Sequence, residues 1–134
     1  DLDRAIAFYR DALGLTLRER WGGNTAFLAA GDDDLHHVIL ERAPGPGIGP
    51  GGIGIRLPDR AALAAAVRRL RDHGIPIDDA VDHGWCEAVR VRDPDGHGIA
   101  LVAERPPARR PRRADGSLHH HHGDLDLDAL LREG

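Results

Sequence analysis

Lysine and methionine are absent from these 134 residues, and cysteine occurs once. All 18 basic residues are therefore arginine. A chain without methionine does not open on its natural initiator, so Asp1 is expected to be an internal position with further sequence upstream. The single Cys86 excludes an intramolecular disulfide and suits a reducing cytoplasm. No apolar run approaches the ~20 residues of a membrane span, and no signal peptide is visible. A net charge of −4 gives no field of one sign that would attract nucleic acid. The one basic run, Arg109, Arg110, Arg112 and Arg113, sits among prolines. These absences point to a cytoplasmic protein with no nucleic-acid and no membrane partner, long enough for one domain with a workable core.

What is present has the look of a repeat. Ile6, Tyr9 and Leu13 fall at helical spacing between Asp3 and Gly14, which predicts one amphipathic helix. Strand-like runs follow at 15–20, 25–30 and 36–42, separated by Gly22-Gly23 and by the acidic loop at 31–34. Residues 43–51, rich in proline and glycine, read as a linker. After it Ile53, Ile55 and Leu57 alternate as a strand, and Asp59 caps a helix over 60–72 with Leu63, Val67 and Leu70 on one face. Gly74 stops that helix. Short strands are expected at 75–77, 86–92 and 98–103. The second half thus reads β-α-β-β-β, and the first half reads α-β-β-β without an opening strand. The tail from Pro107 to Gly134 carries a Pro/Arg stretch, the tract His119 to His122, and an acidic-led helix within 124–132 expected to dock on the body or on a partner chain. The histidine tract either is a native loop or is a purification-tag scar, and polyhistidine of this kind binds Ni or Zn adventitiously.

Two motifs carry a family resemblance. One is Asp1-Leu2-Asp3-Arg4-Ala5-Ile6-Ala7-Phe8-Tyr9 followed by Leu13-Gly14-Leu15. The other is Arg92-Asp93-Pro94-Asp95-Gly96 followed by Gly98-Ile99. Together they resemble the vicinal oxygen chelate superfamily of glyoxalases, bleomycin-resistance proteins and extradiol dioxygenases. Val81-Asp82-His83-Gly84 and the pair His36-His37 are most similar to catechol 2,3-dioxygenase-like members. The resemblance implies an α+β fold in which paired βαβββ modules form a curled mixed sheet cup with helices outside. The expected domain is 1–106: an incomplete first module at 1–42, a linker at 43–51, and a second module at 52–106. Residues 107–134 would be a tail with a short terminal helix.

In dioxygenase-like members the resemblance implies Fe(II) or Mn(II) on two histidines and one carboxylate, with open positions for substrate and oxidant. The first His would precede Asp1. The second aligns with Gly52 and the carboxylate with Ala100, and neither residue can donate to a metal. Alternation puts Ile53, Ile55 and Leu57 on the helix-packed face and Gly52, Gly54 and Arg56 on the ligand face. A tyrosine of ring-cleaving members aligns with Arg90. His83 and His36 align with site histidines and are the candidate catalytic residues, since an imidazole exchanges protons near neutral pH. Arg56, Arg90 and His37 are candidate substrate-binding residues, although an arginine pair on an open strand face is more often just solvated. His97 and Cys86 read as structural. Two functions stay open. One is a small-molecule binder, for an aromatic or anionic ligand, with a degenerate metal site; bleomycin-resistance members show that the fold binds ligands without metal. The other is an active metal-dependent extradiol dioxygenase or glyoxalase-type lyase that takes ligands from upstream sequence or a partner chain. Modules of this superfamily pair across chains, which leaves room for a homodimer.

Overall fold

The computed structural model describes residues 1–31, 35–42 and 52–133. The expected loop at 32–34 and linker at 43–51 lie outside those residues. The chain forms two compact units, residues 1–49 and 50–134.

In the first unit Asp1 caps helix α1 (Leu2–Ala7), its carboxylate accepting the Arg4 N–H at 3.2 Å. Leu2 and Ile6 are buried on Ala26 and Leu28. The single helix expected over 3–14 does not continue: Phe8–Ala12 widen into a π-helical turn. There the Leu13 N–H donates to the Phe8 carbonyl at 3.3 Å, and the Leu15 N–H to that of Tyr9 at 3.0 Å. The wider turn keeps Tyr9 on the core but swings Leu13 outward, leaving it 56% exposed. Gly14, at φ 73°, then reverses the chain into β1 (Thr16–Trp21). Strands β1, β2 (Thr25–Ala29) and β3 (Val38–Glu41) form an antiparallel sheet in that order, with the buried β2 at its centre.

The second unit is the full βαβββ pattern. Strand β4 (Ile53–Leu57) leads to α2 (Arg60–Asp72), whose bounds match the expected 60–72. The Asp59 carboxylate accepts the Ala62 N–H at 2.8 Å, and Gly74 at φ 65° ends the helix. The strand expected at 75–77 is displaced to β5 (Asp79–Asp82), since Pro76 has no N–H to give to a ladder. Strands β6 (Cys86–Arg92) and β7 (Gly98–Glu104) follow, and a two-residue β8 (Gly123–Asp124) comes from the tail. The sheet order is β4-β7-β6-β5-β8, with β4 parallel to β7 and the rest antiparallel. The fold is α+β, as the resemblance implied.

Alternation sorts this sheet into two faces. Val89, Val91 and Ala103 pack with Leu63, Ala64 and Val67 of α2 and with Leu130 of α3 (Leu127–Glu133). Leu63, Val67 and Leu130 are fully buried, each contributing about 1.5–3 kcal/mol. The terminal helix therefore docks on the body. Ile53 and Ile55 pair with Ile99 and Leu101 of the helix-packed face. They nevertheless remain 58% and 43% exposed, because β4 is the edge strand and α2 covers the middle of the sheet.

Candidate functional site

The opposite face of the second unit carries the residues of interest. Gly54 pairs with Ala100, and Ala100 pairs with Arg90, so the three form one row across β4, β7 and β6. Arg56, Val102 and Ala88 form the next row, and Val81 extends it on β5. Gly52 lies beside Gly98, since Ile53 pairs with Ile99. Positions 52 and 100 are thus diagonal neighbours on one face, a relation that suits two ligands of one ion. The donors are missing: glycine and alanine offer no oxygen, nitrogen or sulfur in a side chain. A Cβ at Gly52 would also stand 3.0 Å from the Gly98 carbonyl oxygen, so any larger residue there needs the backbone to give. The residues present do not fit a metal ion at these two positions.

His83 continues the alternation of Asp79 and Val81 and sits where β5 turns into β6. Three interactions fix this turn. Asp82 accepts the Gly84 N–H at 2.8 Å. Arg105 donates to both oxygens of Asp82 at 2.6 and 2.8 Å. The same guanidinium reaches the Gly84 carbonyl at 2.7 Å. Behind the turn Glu87, the one charged residue buried among those described, is held by Arg60 and Arg105. Arg60 also pairs with Glu133, tying α3 to the same network. Burial pushes the His83 imidazole below the ordinary histidine value, and the neighbouring His122 and Arg90 push it the same way. The backbone of His121 and the Asp82 carboxylate oppose that shift.

The tail completes the surroundings of His83. The His121 N–H donates to the His83 carbonyl at 3.2 Å. The His122 ring lies 5.6 Å from the His83 ring, and the His120 ring 6.0 Å from that of the buried Trp85. Gly84, at φ 83°, permits this packing: a Cβ there would come within 2.8 Å of both His121 and Pro111. Sequence reasoning singled out His83 and treated the tract 119–122 only as an adventitious metal binder. A glycine directly after a candidate histidine was the available signal that something packs closely there.

The other expected site residues are placed differently. Arg56 is on the same face but near its end, 3.5 Å from Glu104. It lines a cleft of about 1110 Å³ with Arg60, Arg105, Arg109 and Arg110, where Glu87, Glu104 and Glu133 offset most of the charge. His36 and His37 belong to the first unit. The His36 ring packs 4.8 Å from Phe27, and His37 Nδ1 accepts the Ala30 N–H at 3.0 Å. His97 serves the turn, 3.1 Å from Asp93, whose carboxylate also accepts the N–H groups of Asp95 and His97. Asp93, Asp95 and His97 do bring ligand atoms within 4.8 Å of one another, at the surface. Those hydrogen bonds account for the cluster as turn chemistry. Cys86 is buried, and burial pushes its thiol up to about 12, which makes it inert.

An α+β chain with a complete βαβββ unit, a helix with three strands before it, and an Asp-Pro-Asp-Gly turn defines a class. Residues 1–101 match the model of the Glyoxalase/Bleomycin resistance protein/Dioxygenase superfamily, and the chain belongs to that superfamily. Among its relatives is the catechol-2,3-dioxygenase of Bacillus subtilis (strain 168), 32% identical over 139 aligned positions. That alignment takes in 98% of this chain, tail included, and 48% of the relative, so the chain spans about half the relative's length. The 2,3-dioxygenase LapB of Pseudomonas sp. KL28 shares the fold at a TM-score of 0.67 and 24% identity, over 97% of this chain and 43% of its own. The Mn(II)-bound glyoxalase of Novosphingobium aromaticivorans is 27% identical with a TM-score of 0.62, over 81% of this chain and 39% of its own. No described helix is long and apolar enough to cross a membrane.

Proposed function

We propose that this chain binds a small aromatic or anionic molecule on the open face of the second unit, with no metal ion held at positions 52 and 100. The row Gly54, Ala100 and Arg90 is the observation that carries the reading. A Cβ on Gly54 would meet nothing within 4 Å, so the face has room for a ligand above it. Arg90 supplies positive charge in that row with Asp79 as its cross-strand partner, and His83 lies on the same face two rows further along, beside Cys86. The buried thiol of Cys86 fits a reducing, cytoplasmic setting.

Elemental analysis tests the reading, using protein in which His119 to His122 are replaced by serine. No stoichiometric Fe, Mn or Zn is expected. One tightly bound ion per chain would overturn it.

A second reading is favoured by the 32% identity to a protein named catechol-2,3-dioxygenase. In it the chain forms part of a metal-dependent ring-cleaving dioxygenase, or of a glyoxalase-type lyase. Its Fe(II) or Mn(II) would be held by His36 or His37, by segments beyond these 134 residues, or by a partner subunit in a homodimer. A yellow ring-fission product from catechol and added Fe(II) supports this reading, and silence in the full-length protein counts against it.

A further inference from the structure

We propose that residues 119–124 of the tail form a pH-sensitive strap, closed over the β5–β6 turn while the His83 imidazole is neutral and released when that ring takes up a proton. The inference stands apart from the ligand-binding reading and concerns access to His83. Its basis is how the segment is held. Both ends are anchored: Leu118 is buried and the His119 N–H donates to the Pro111 carbonyl at 2.8 Å, while Leu130 of α3 is fully buried. Between these anchors the attachments are few. The His121 N–H reaches the His83 carbonyl at 3.2 Å, Gly123 and Asp124 pair with Asp82 and Val81 in a strand of two residues, and the Leu125 N–H reaches the Ala80 carbonyl at 3.1 Å. A stretch pinned at two ends and weakly laddered between them opens at lower cost than the body of the sheet.

Ring packing around His83 closes the strap. The His122 ring stands edge-on at 5.6 Å, the Trp85 ring lies nearly parallel at 6.5 Å, and the His120 ring is 6.0 Å from Trp85. A proton on His83 puts a charge into this packing. Burial opposes that charge, and the facing His122 opposes it too. Arg90 pushes the same way from two rows off, with Asp79 as its cross-strand partner, and contributes little. Asp82 favours the charged ring, but both its oxygens are already held by Arg105. Glu104 lies across from Cys86 and Asp124 across from Val81, and carboxylates titrate far below the histidine range. The Cys86 thiol, pushed up to about 12, keeps its proton. His121, 3.8 Å from Asp82, favours the closed strap when protonated, yet it is half-exposed and shares Asp82 with Arg105, so that contact is weak. Closed, the His83 ring resists the proton; released, it takes one up near the ordinary ~6.5. Release therefore grows as pH falls through that value.

Amide hydrogen exchange followed by NMR on the full chain tests this, each rate being divided by that of an unstructured peptide to remove the intrinsic effect of pH. Between pH ~7.5 and ~5.5 the protection of the His121 and Leu125 amides should fall about five- to tenfold, while that of Val89 in β6 stays level. The fall should track the His83 ring titration, with a midpoint below ~6.5. His83→Gln should flatten the dependence. Should that variant leave the strap open at both pH values, the ring titration of the unaltered chain decides. Protection that is level with pH, a dependence that persists in His83→Gln, or a His83 midpoint at or above ~6.5 would each overturn the inference.

Discussion

Arg105 is the side chain on which the His83 turn depends most. It neutralises Asp82 and reaches the buried Glu87, and its removal leaves Glu87 to Arg60 alone. Breaking a buried pair from one side costs about 3–5 kcal/mol, and the partial exposure of Arg105 places Arg105→Ala toward the low end of that range in urea unfolding. The Arg105 hydrogen bonds hold the Asp82 carboxyl below the usual carboxylate range against the opposing pull of burial. A lowered folded value means the stabilisation is present above the unfolded value, near ~3.9, and is lost as pH falls through the folded one. Asp82→Asn should therefore be less stable than the unaltered chain at pH 7, with the gap closing as the pH of the unfolding titration drops below ~3.9. A gap that stays constant with pH would show that Asp82 acts through packing rather than charge. Neither Arg105 nor Glu87 stood out in the sequence. Both are ordinary charged residues, 18 positions apart, and only the folding of β6 against β7 makes them partners.

At the scale of elements, the helix of residues 60–72 and the strands β6 and β7 were legible because each carries its own punctuation: Asp59 and Gly74 for the helix, the Asp-Pro-Asp-Gly turn between the strands. The π-helical turn at Phe8–Ala12 was not legible, since helical spacing of Tyr9 and Leu13 continues through it and only the demand for β1 after Gly14 opens it. The tail was half legible. Its acidic-led helix was foreseen, but its seat on α2 through Leu130 depends on tertiary packing. Leu130→Ala should cost about 2–5 kcal/mol, measured by thermal or urea unfolding. Gly84→Ala probes the other attachment. With φ at 83° and two contacts of 2.8 Å waiting for a Cβ, it should cost roughly 1–3 kcal/mol and make the segment around 111–122 more susceptible to limited proteolysis. Unchanged proteolysis would mean that the tail is held without this close approach.

Across the whole molecule, the same motif that identifies the superfamily leads directly into Ala100, where the family's chemistry expects a carboxylate. Family membership was readable from short motifs because those turns and caps are local. The face that carries positions 52 and 100 was readable only as alternation, and the packing of the tail against His83 was not readable, because the tail returns to β5 through a β8 of two residues. The chain keeps the superfamily's fold while positions 52 and 100 carry no side-chain donor, and the proposed function has its ligand bind that face without a metal there. The most direct measurement is benzoate affinity at pH 6 before and after exhaustive chelation, then with added Mn(II) or Fe(II). The proposed function predicts one benzoate-binding event of unchanged affinity under all of these conditions. Binding that vanishes with chelation and returns with either metal would contradict it.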